Sequence, residues 1–122
     1  MAHKRLDFKE MVARFDVTPR TLRYYEYIEL LAPEKEWRSR FYGPREIARM
    51  TLILRARAWG FGLEEIRQWL EIYEQKGTEA QYREFIARAD QQIELLEKER
   101  EQLKITIQDI IKVRDDVLST LE

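Results

Sequence analysis

The most regular pattern of hydrophobic and polar positions lies near the carboxyl terminus, where apolar residues recur at alternating intervals of three and four. The pattern extends from Ile86 to Leu121, with arginine at two of its sites, Arg100 and Arg114. Such an a/d heptad predicts a helix of about 40 residues, roughly 60 Å long. We expect a partner helix rather than a solvated single helix, because one helix cannot bury this seam against itself. The seam residues expected to mediate dimerisation are Ile86, Ala89, Ile93, Leu96, Leu103, Ile107, Ile110 and Val117.

The amino-terminal part shows shorter patterns, beginning with two helix starts. Asp7 and Glu10 match a capping box at the start of a first helix. Thr18 followed by Pro19 predicts the N-cap of a second helix that extends to about Tyr27. Two short helices joined by a short turn are typical of a helix-turn-helix.

Further elements follow up to Gly77, after which the chain has no glycine or proline. Aromatic residues among charges predict a hairpin over Pro33 to Tyr42. A third helix is expected from Pro44 and a fourth from Leu63, with Gly77 as its C-cap. On the third helix, Ile47, Met50, Thr51 and Leu54 are expected to face inward, and Arg45, Arg49, Arg55 and Arg57 outward. The predicted fold class is therefore mainly α.

The composition excludes several classes of function. The 122-residue chain has no cysteine and one histidine, His3. Thiolate metal sites, disulfides and histidine-based triads therefore lack their residues, and we expect no enzyme, metal or other cofactor. No apolar run approaches the ~20 residues that span a bilayer, and no signal peptide is evident. We expect a cytoplasmic protein with no membrane partner.

The charge is unevenly distributed. Residues 1–60 carry 13 basic and 8 acidic side chains, whereas residues 61–122 carry 9 and 15. A basic first half predicts a nucleic-acid contact there. Arg20, Arg23 and Tyr24 lie on the second helix, which in a helix-turn-helix enters the major groove. The alternative for each arginine is a surface charge or an internal ion pair.

An ordered set of motifs resembles the mercury-resistance-type (MerR) transcription regulators. The resemblance covers roughly residues 6–76. Its motifs are Val17-Thr-Pro-Arg-Thr-Leu-Arg-Tyr-Tyr-Glu26 with Leu30-Leu31-Ala-Pro33, then Arg40-Phe41-Tyr42, Arg55-Ala-Arg57, Gly60-Phe61 and Leu63-Glu-Glu-Ile66.

The resemblance implies a winged helix-turn-helix DNA-binding domain over residues 1–77, followed by an antiparallel coiled-coil dimerisation helix over residues 78–122. It implies a homodimer that binds a palindromic promoter element in double-stranded DNA and regulates transcription by distorting it, with RNA polymerase as a further candidate partner. The alternative is a coiled-coil adaptor that binds a protein without DNA, but an adaptor has no need of clustered basic residues. The DNA-binding residues implied are Thr18, Arg20, Thr21, Arg23, Tyr24, Arg38, Arg40, Tyr42, Arg55 and Arg57.

This chain departs from the family pattern at three places. Glu29 replaces a glycine, Arg38-Ser39 replaces a Gly-Tyr pair, and Gly62 replaces a Ser/Thr N-cap. We therefore expect strain or a different shape in the turn after the second helix.

The resemblance also bears on what the protein senses. Metal-sensing members of the family carry cysteines near the end of the long helix, and this chain has no cysteine. A small organic effector is the remaining candidate, bound in a partly apolar crevice between the fourth helix and the long helix. Ordinary core packing is the alternative role for the aromatic residues concerned, which are Trp59, Trp69, Tyr73, Tyr82 and Phe85.

Overall fold

The computed structural model describes residues 4–75 and 77–122, apart from the side chain of Tyr73. They fall into two units, Met1–Gly77 and Thr78–Glu122. The first unit contains β1 (Leu6–Asp7), α1 (Phe8–Phe15), α2 (Pro19–Tyr27), β2 (Glu34–Glu36), β3 (Ser39–Tyr42), α3 (Pro44–Ala58) and α4 (Leu63–Glu74). The second unit is the single helix α5 (Glu79–Leu121).

The starts of α1 and α2 are fixed by local side-chain caps, as predicted. The Asp7 carboxylate accepts the Glu10 backbone N–H at 2.9 Å, and the Glu10 carboxylate accepts the Asp7 N–H at 3.0 Å. The Thr18 hydroxyl accepts the Thr21 N–H at 3.0 Å, with Pro19 in the first turn. These bonds satisfy N–H groups that have no partner within the helix.

The ends of α2 and α3 share one geometry. After α2, the Glu29 N–H bonds to the Glu26 carbonyl and the Leu30 N–H to the Tyr25 carbonyl. After α3, the Gly60 and Phe61 N–H groups repeat this pattern. Both are Schellman motifs, which need a left-handed residue at their turn. Gly60 has φ 96°, and Glu29 takes the same role with φ 64°. The expectation of strain at Glu29 is thus confirmed.

The predicted hairpin is present and belongs to a three-stranded antiparallel sheet of order β1-β3-β2. Leu6 pairs with Tyr42 in β3, and Glu36 pairs with Ser39 across the hairpin. The sequence analysis missed β1, because two residues are too few to show an alternating pattern. Through β1, the sheet is continuous with the start of α1.

The core of the first unit draws on every helix in it and on the sheet. The residues with the most deeply buried side chains are Met11, Leu22, Leu30, Tyr42, Met50, Ile53, Ile66 and Leu70. Two expectations for α3 were wrong. Thr51 is exposed and bonds to the Ile47 carbonyl within its own helix. Arg49 is turned inward, with only 11% of its side chain exposed.

The end of α4 also differs from expectation. Helix α4 ends at Glu74, and Gln75 is its C-cap in an extended conformation, so Gly77 does not cap it. Gly77 instead precedes Thr78, whose hydroxyl accepts the Gln81 N–H at 3.2 Å while the Gln81 side chain accepts the Thr78 N–H at 2.8 Å. This capping box begins α5.

Helix α5 is a single uninterrupted helix of 43 residues, about 65 Å long. None of its described side chains is buried. Ion pairs between residues four apart support its surface, including Arg83–Glu79 at 2.7 Å and Arg88–Glu84 at 3.2 Å. The predicted long helix is confirmed, and its apolar seam is open to solvent in the single chain.

Candidate nucleic-acid interface

Helix α2 presents an exposed face of arginine and tyrosine side chains. Arg20 and Arg23 are exposed, Tyr24 is half-exposed and Tyr27 is 84% exposed. They border a groove of about 510 Å³, which we call the α2 groove and which is lined by Arg20, Thr21, Arg23, Tyr24, Tyr25, Tyr27, Arg57 and Leu63. Three guanidinium groups from α2 and α3 therefore face one concave surface.

A second concavity joins α2 to the hairpin. This hairpin groove, of about 540 Å³, is lined by Asp7, Phe8, Lys9, Arg23, Arg38, Ser39 and Arg40. The guanidinium carbons of Arg23 and Arg40 both lie 5.5 Å from the centroid of the Phe8 ring. Phe8 thus holds an α2 arginine and a β3 arginine on one ring through cation–π contacts. Since Arg23 lines both grooves, the two form one continuous basic surface.

Tyr42 supports this surface from below instead of forming part of it. Its side chain is wholly buried, and its hydroxyl donates to Glu26 at 3.1 Å. Burial, together with the neighbouring Glu26 carboxylate, raises the pKa of Tyr42 well above its ordinary value, so the phenol stays protonated. The prediction that Tyr42 contacts DNA is therefore wrong in this structure. Glu26 also pairs with Arg40 at 3.5 Å and so connects α2 to β3.

The remaining residues predicted to bind DNA take different positions. The Thr18 hydroxyl donates to the Thr21 hydroxyl at 2.9 Å, in addition to capping α2. Arg57 lines the α2 groove beside Arg20 and Arg23, whereas Arg55 lies over the Trp59 ring at 5.4 Å and lines neither groove. The structure thus brings together the α2 residues, Arg38, Arg40 and Arg57, but not Arg55.

Among the described residues, four arginines on this surface, Arg20, Arg23, Arg38 and Arg57, have no carboxylate partner, whereas Arg40 pairs with Glu26. Arg45, Arg49 and Arg67 each pair with a glutamate within 4 Å. In the described part of the chain, no carboxylate lies within ion-pair distance of the exposed residues Arg20, Arg23, Arg38, Arg55 and Arg57. These side chains remain available to an external anion.

The segment that follows α2 is held by polar contacts from α3 and α4. Arg67 donates to the Ile28 carbonyl, and Arg49 donates to the Leu30 carbonyl at 2.8 Å. The buried Glu46 carboxylate accepts the Ala32 N–H at 3.0 Å. Charge-assisted bonds of this kind are stronger than neutral ones. They fix the end of α2 and therefore the orientation of its exposed face.

Sequence reasoning missed several residues of this surface. Phe8 and Lys9 line the hairpin groove, and Tyr27 lines the α2 groove. Helical spacing gives a signal for Tyr27, which follows Arg23 by four residues and so shares its face. No such signal exists for Phe8, because its contacts with two arginines depend on how the sheet packs against α2.

Among the aromatic residues proposed to line an effector crevice, Trp59 and Trp69 both contact the Phe61 ring. Trp69 meets Phe61 edge-on at 4.1 Å between ring centroids, and Trp59 meets it at 6.4 Å. These contacts fit core packing. Tyr82 and Phe85 belong to the other unit, and the side chain of Tyr73 lies outside the described residues. The crevice stays a prediction.

Comparisons with known proteins agree with this geometry. Residues 7–72 match the family model described as MerR HTH family regulatory protein, and residues 47–113 match the model described as MerR, DNA binding. Each covers more than half of the chain. The chain belongs to the MerR family. The matched models are described as a regulatory protein and as DNA binding, and the curated relatives HmrR and ZntR are named as transcriptional regulators.

Individual relatives support this assignment. The chain is 35% identical over 72 residues to the HTH-type transcriptional regulator HmrR of Rhizobium leguminosarum. This match covers 58% of this chain and 56% of HmrR. It is 38% identical over 65 residues to ZntR of Escherichia coli. That match covers 52% of this chain and 46% of ZntR. The chain thus spans about half the length of these two relatives. An uncharacterized HTH-type transcriptional regulator of Pseudomonas aeruginosa, PA4778, matches over 88% of this chain and 83% of its own length at 27% identity.

Solved structures share the fold. A MerR family transcriptional regulator from Bacillus cereus superposes with a TM-score of 0.68 and 28% identity, covering 85% of this chain and 75% of that one. HiNmlR, a MerR family regulator lacking the sensor domain and bound to promoter DNA, gives a TM-score of 0.67 at 17% identity, covering 85% and 79%. The winged helix-turn-helix followed by a long helix is therefore the fold of this chain. Across residues 4–75 and 77–122, no helix is long and apolar enough to cross a membrane.

Proposed function

We propose that the protein is a homodimer that binds a two-fold symmetric promoter element, with α2 in the major groove and the β2–β3 hairpin beside it. The observation that carries the proposal is the group of arginines without carboxylate partners on the α2 and hairpin grooves. DNA phosphates would supply the missing negative charge, and Arg23 on α2 can bond to a guanine edge. Binding would take place on promoter DNA in the bacterial cytoplasm.

The dimer is supported by the open seam of α5. Ile93, Leu103, Ile107 and Ile110 are 53–63% exposed in the single chain, and a second copy would cover them. Arg100 and Arg114 occupy a positions of the heptad. In a parallel pair each would face its own copy, whereas an antiparallel pair can offset them against apolar or acidic neighbours. We therefore propose an antiparallel coiled coil through Ile86, Ala89, Ile93, Leu96, Leu103, Ile107, Ile110 and Val117.

Two further parts of the proposal follow from a two-fold dimer. A dimer with two α2 helices reads two half-sites, so its operator is palindromic. We propose that binding distorts the DNA between them, since deformation gives specificity at base pairs that no side chain touches. RNA polymerase would then respond to the altered promoter. Any effector would be a small organic molecule, because the chain has no cysteine to bind soft metals.

The first experiment selects bound duplexes from a random library and measures their affinity over a salt series. Arg23→Ala should lose most of the preference for the selected duplex over a scrambled one, on the order of 1–3 kcal/mol if Arg23 reads a base. Arg57→Ala should weaken both duplexes about equally and lower the salt slope by about one. The control is Arg83→Ala, which removes an arginine that is paired with Glu79 on α5.

The control variant should bind like the wild type. Equal and small effects at Arg23, Arg57 and Arg83 would contradict the assignment of the α2 face. Failure of the wild-type protein to enrich any duplex would contradict DNA binding itself.

A further inference from the structure

The tip of the β2–β3 hairpin carries a tryptophan that the proposed function does not use. Glu36 pairs with Ser39, so Trp37 and Arg38 form a two-residue turn. Trp37 is 91% exposed and has φ 57°. Two-residue hairpin turns usually place glycine, asparagine or aspartate at such a left-handed position. The turn therefore displays a large apolar ring in solvent at a site where the backbone favours a smaller residue.

The surroundings of Trp37 are basic and continuous with the α2 face. The guanidinium carbon of Arg38 lies 4.9 Å from the centroid of the Trp37 ring. Arg38 also lines the hairpin groove together with Arg23 and Arg40. The exposed Trp37 ring lies beside the Arg38 guanidinium group, which has no carboxylate partner among the residues that the structure describes. Together they complement a polyanion that also offers apolar surfaces. Duplex DNA, with its phosphates, deoxyriboses and base edges, has this combination.

We propose that Trp37 is a minor-groove contact of this protein. With α2 in the major groove, the indole enters the neighbouring minor groove and packs against deoxyribose and base edges, while Arg38 binds a phosphate. Proteins that bind the minor groove commonly insert apolar side chains at base steps. Pyrimidine–purine steps open most easily, so the tip adds both affinity and a preference for deformable steps beneath it. This proposal rests on the proposed function, because it takes the α2 face as the DNA-binding face.

The test uses the full-length protein and the fluorescein-labelled duplex that the wild type enriches from a random library. Trp37→Asn removes the ring but suits a left-handed turn residue, so the hairpin should still fold. Its dissociation constant should rise about tenfold, as expected for loss of an aromatic contact with nucleic acid. Its salt slope should stay unchanged, because no charge is lost.

Two variants provide matched comparisons. Trp37→Phe keeps an aromatic ring and should bind within about threefold of the wild type, but it should lose the tryptophan quenching that Trp37 shows when DNA is added. Arg38→Ala should lower the salt slope by about one, since it removes a phosphate contact.

Binding by Trp37→Asn within twofold of the wild type would overturn the proposal and leave the proposed function standing. Trp37 would then not be a DNA contact. If Trp37→Asn binds more weakly only because the hairpin unfolds, its circular dichroism and urea midpoint change as well. In that case Trp37→Phe decides, and unchanged tryptophan quenching in this variant would overturn the proposal.

Discussion

Glu29 and Gly60 hold equivalent residue positions at the ends of α2 and α3, and only one of them suits the backbone. Both residues are left-handed, with φ 64° and 96°, and both turn the chain after a helix. A side chain with a Cβ atom is strained in this conformation, whereas glycine is not. The Schellman bonds and the polar contacts from Arg49 and Arg67 hold Glu29 there despite the strain.

Replacing Glu29 with glycine should therefore stabilise the protein. We expect Glu29→Gly to raise the free energy of unfolding by about 1 kcal/mol, because the relief of left-handed strain exceeds the entropy that glycine adds to the unfolded chain. Gly60→Ala, the matched change in the other turn, should lower the free energy by a similar amount. Urea unfolding of the three proteins measures both effects, and a less stable Glu29→Gly would show that the Glu29 side chain contributes more than its backbone strain costs.

At the residue scale, the sequence predicts what is local and misses what depends on packing. The caps formed by Asp7 and Thr18 require only neighbours three residues away, so their pattern is visible in the sequence. Tyr42 and Arg49 were both expected to be exposed, one toward DNA and one toward solvent. Their partners, Glu26 and the Leu30 carbonyl, lie 16 and 19 residues away in sequence. Nothing in the local pattern identifies such contacts.

At the scale of elements, one carboxylate connects the end of α4 to α3. Glu74, the last residue of α4, accepts 2.8 Å and 2.7 Å contacts from Arg45 and Arg49 of α3. Burial acts to raise the pKa of Glu74, but bonds to Arg49 and Arg45 outweigh it and hold the pKa below its ordinary value of 4.5. Arg49 in turn bonds to the Leu30 carbonyl after α2. The end of α4 is therefore connected to the segment that orients α2.

This pair of contacts should make stability depend on pH. A carboxylate whose pKa is lower in the folded state stabilises the protein above its unfolded pKa, and that stabilisation is lost as the pH falls through the folded value. We expect Glu74→Gln to lower the free energy of unfolding by about 1 kcal/mol at pH 7. The difference from the wild type should shrink as the pH falls below about 4.5.

The matched control is Glu71→Gln, an exposed glutamate on the same helix. Urea unfolding at pH 7 and at acid pH distinguishes the two variants, because only Glu74→Gln should show a difference that depends on pH. An equal loss at both pH values would contradict the assigned role of Glu74.

The sequence predicted the longer elements and those with clear local signals, and it missed the shortest strand. The helices of the first unit and the hairpin follow from caps, breakers and periodicity. Strand β1 has two residues and forms only because β3 lies beside it. Helix α4 ends at Glu74, whose carboxylate contacts Arg45 of α3, whereas Gly77 suggested a later end. Both features involve contacts with residues distant in sequence, which the local pattern does not show.

At the scale of the whole molecule, the residues proposed for DNA binding and those proposed for dimerisation lie in different units. The first unit carries the arginines without carboxylate partners, and the second carries the exposed apolar seam of α5. The seam was evident in the sequence, because a heptad pattern extends over the whole helix. The basic surface was only partly evident, since the positions of Phe8, Lys9 and Arg40 around Arg23 depend on the sheet. In the proposed homodimer, each copy would contribute one first unit and so one DNA-binding face.

We propose that the dimer formed through α5 is the species that binds the operator. Analytical ultracentrifugation of the protein with and without the selected duplex tests it most directly. We expect two chains per duplex for the wild type, and monomers that lose operator binding for Ile93→Asp combined with Ile107→Asp. Ile105→Asp is the matched control, because Ile105 is exposed on α5 outside the a/d seam and should leave the dimer intact. A double variant that stays dimeric at micromolar concentration and binds the operator as the wild type does would show that the a/d seam of α5 does not form the dimer.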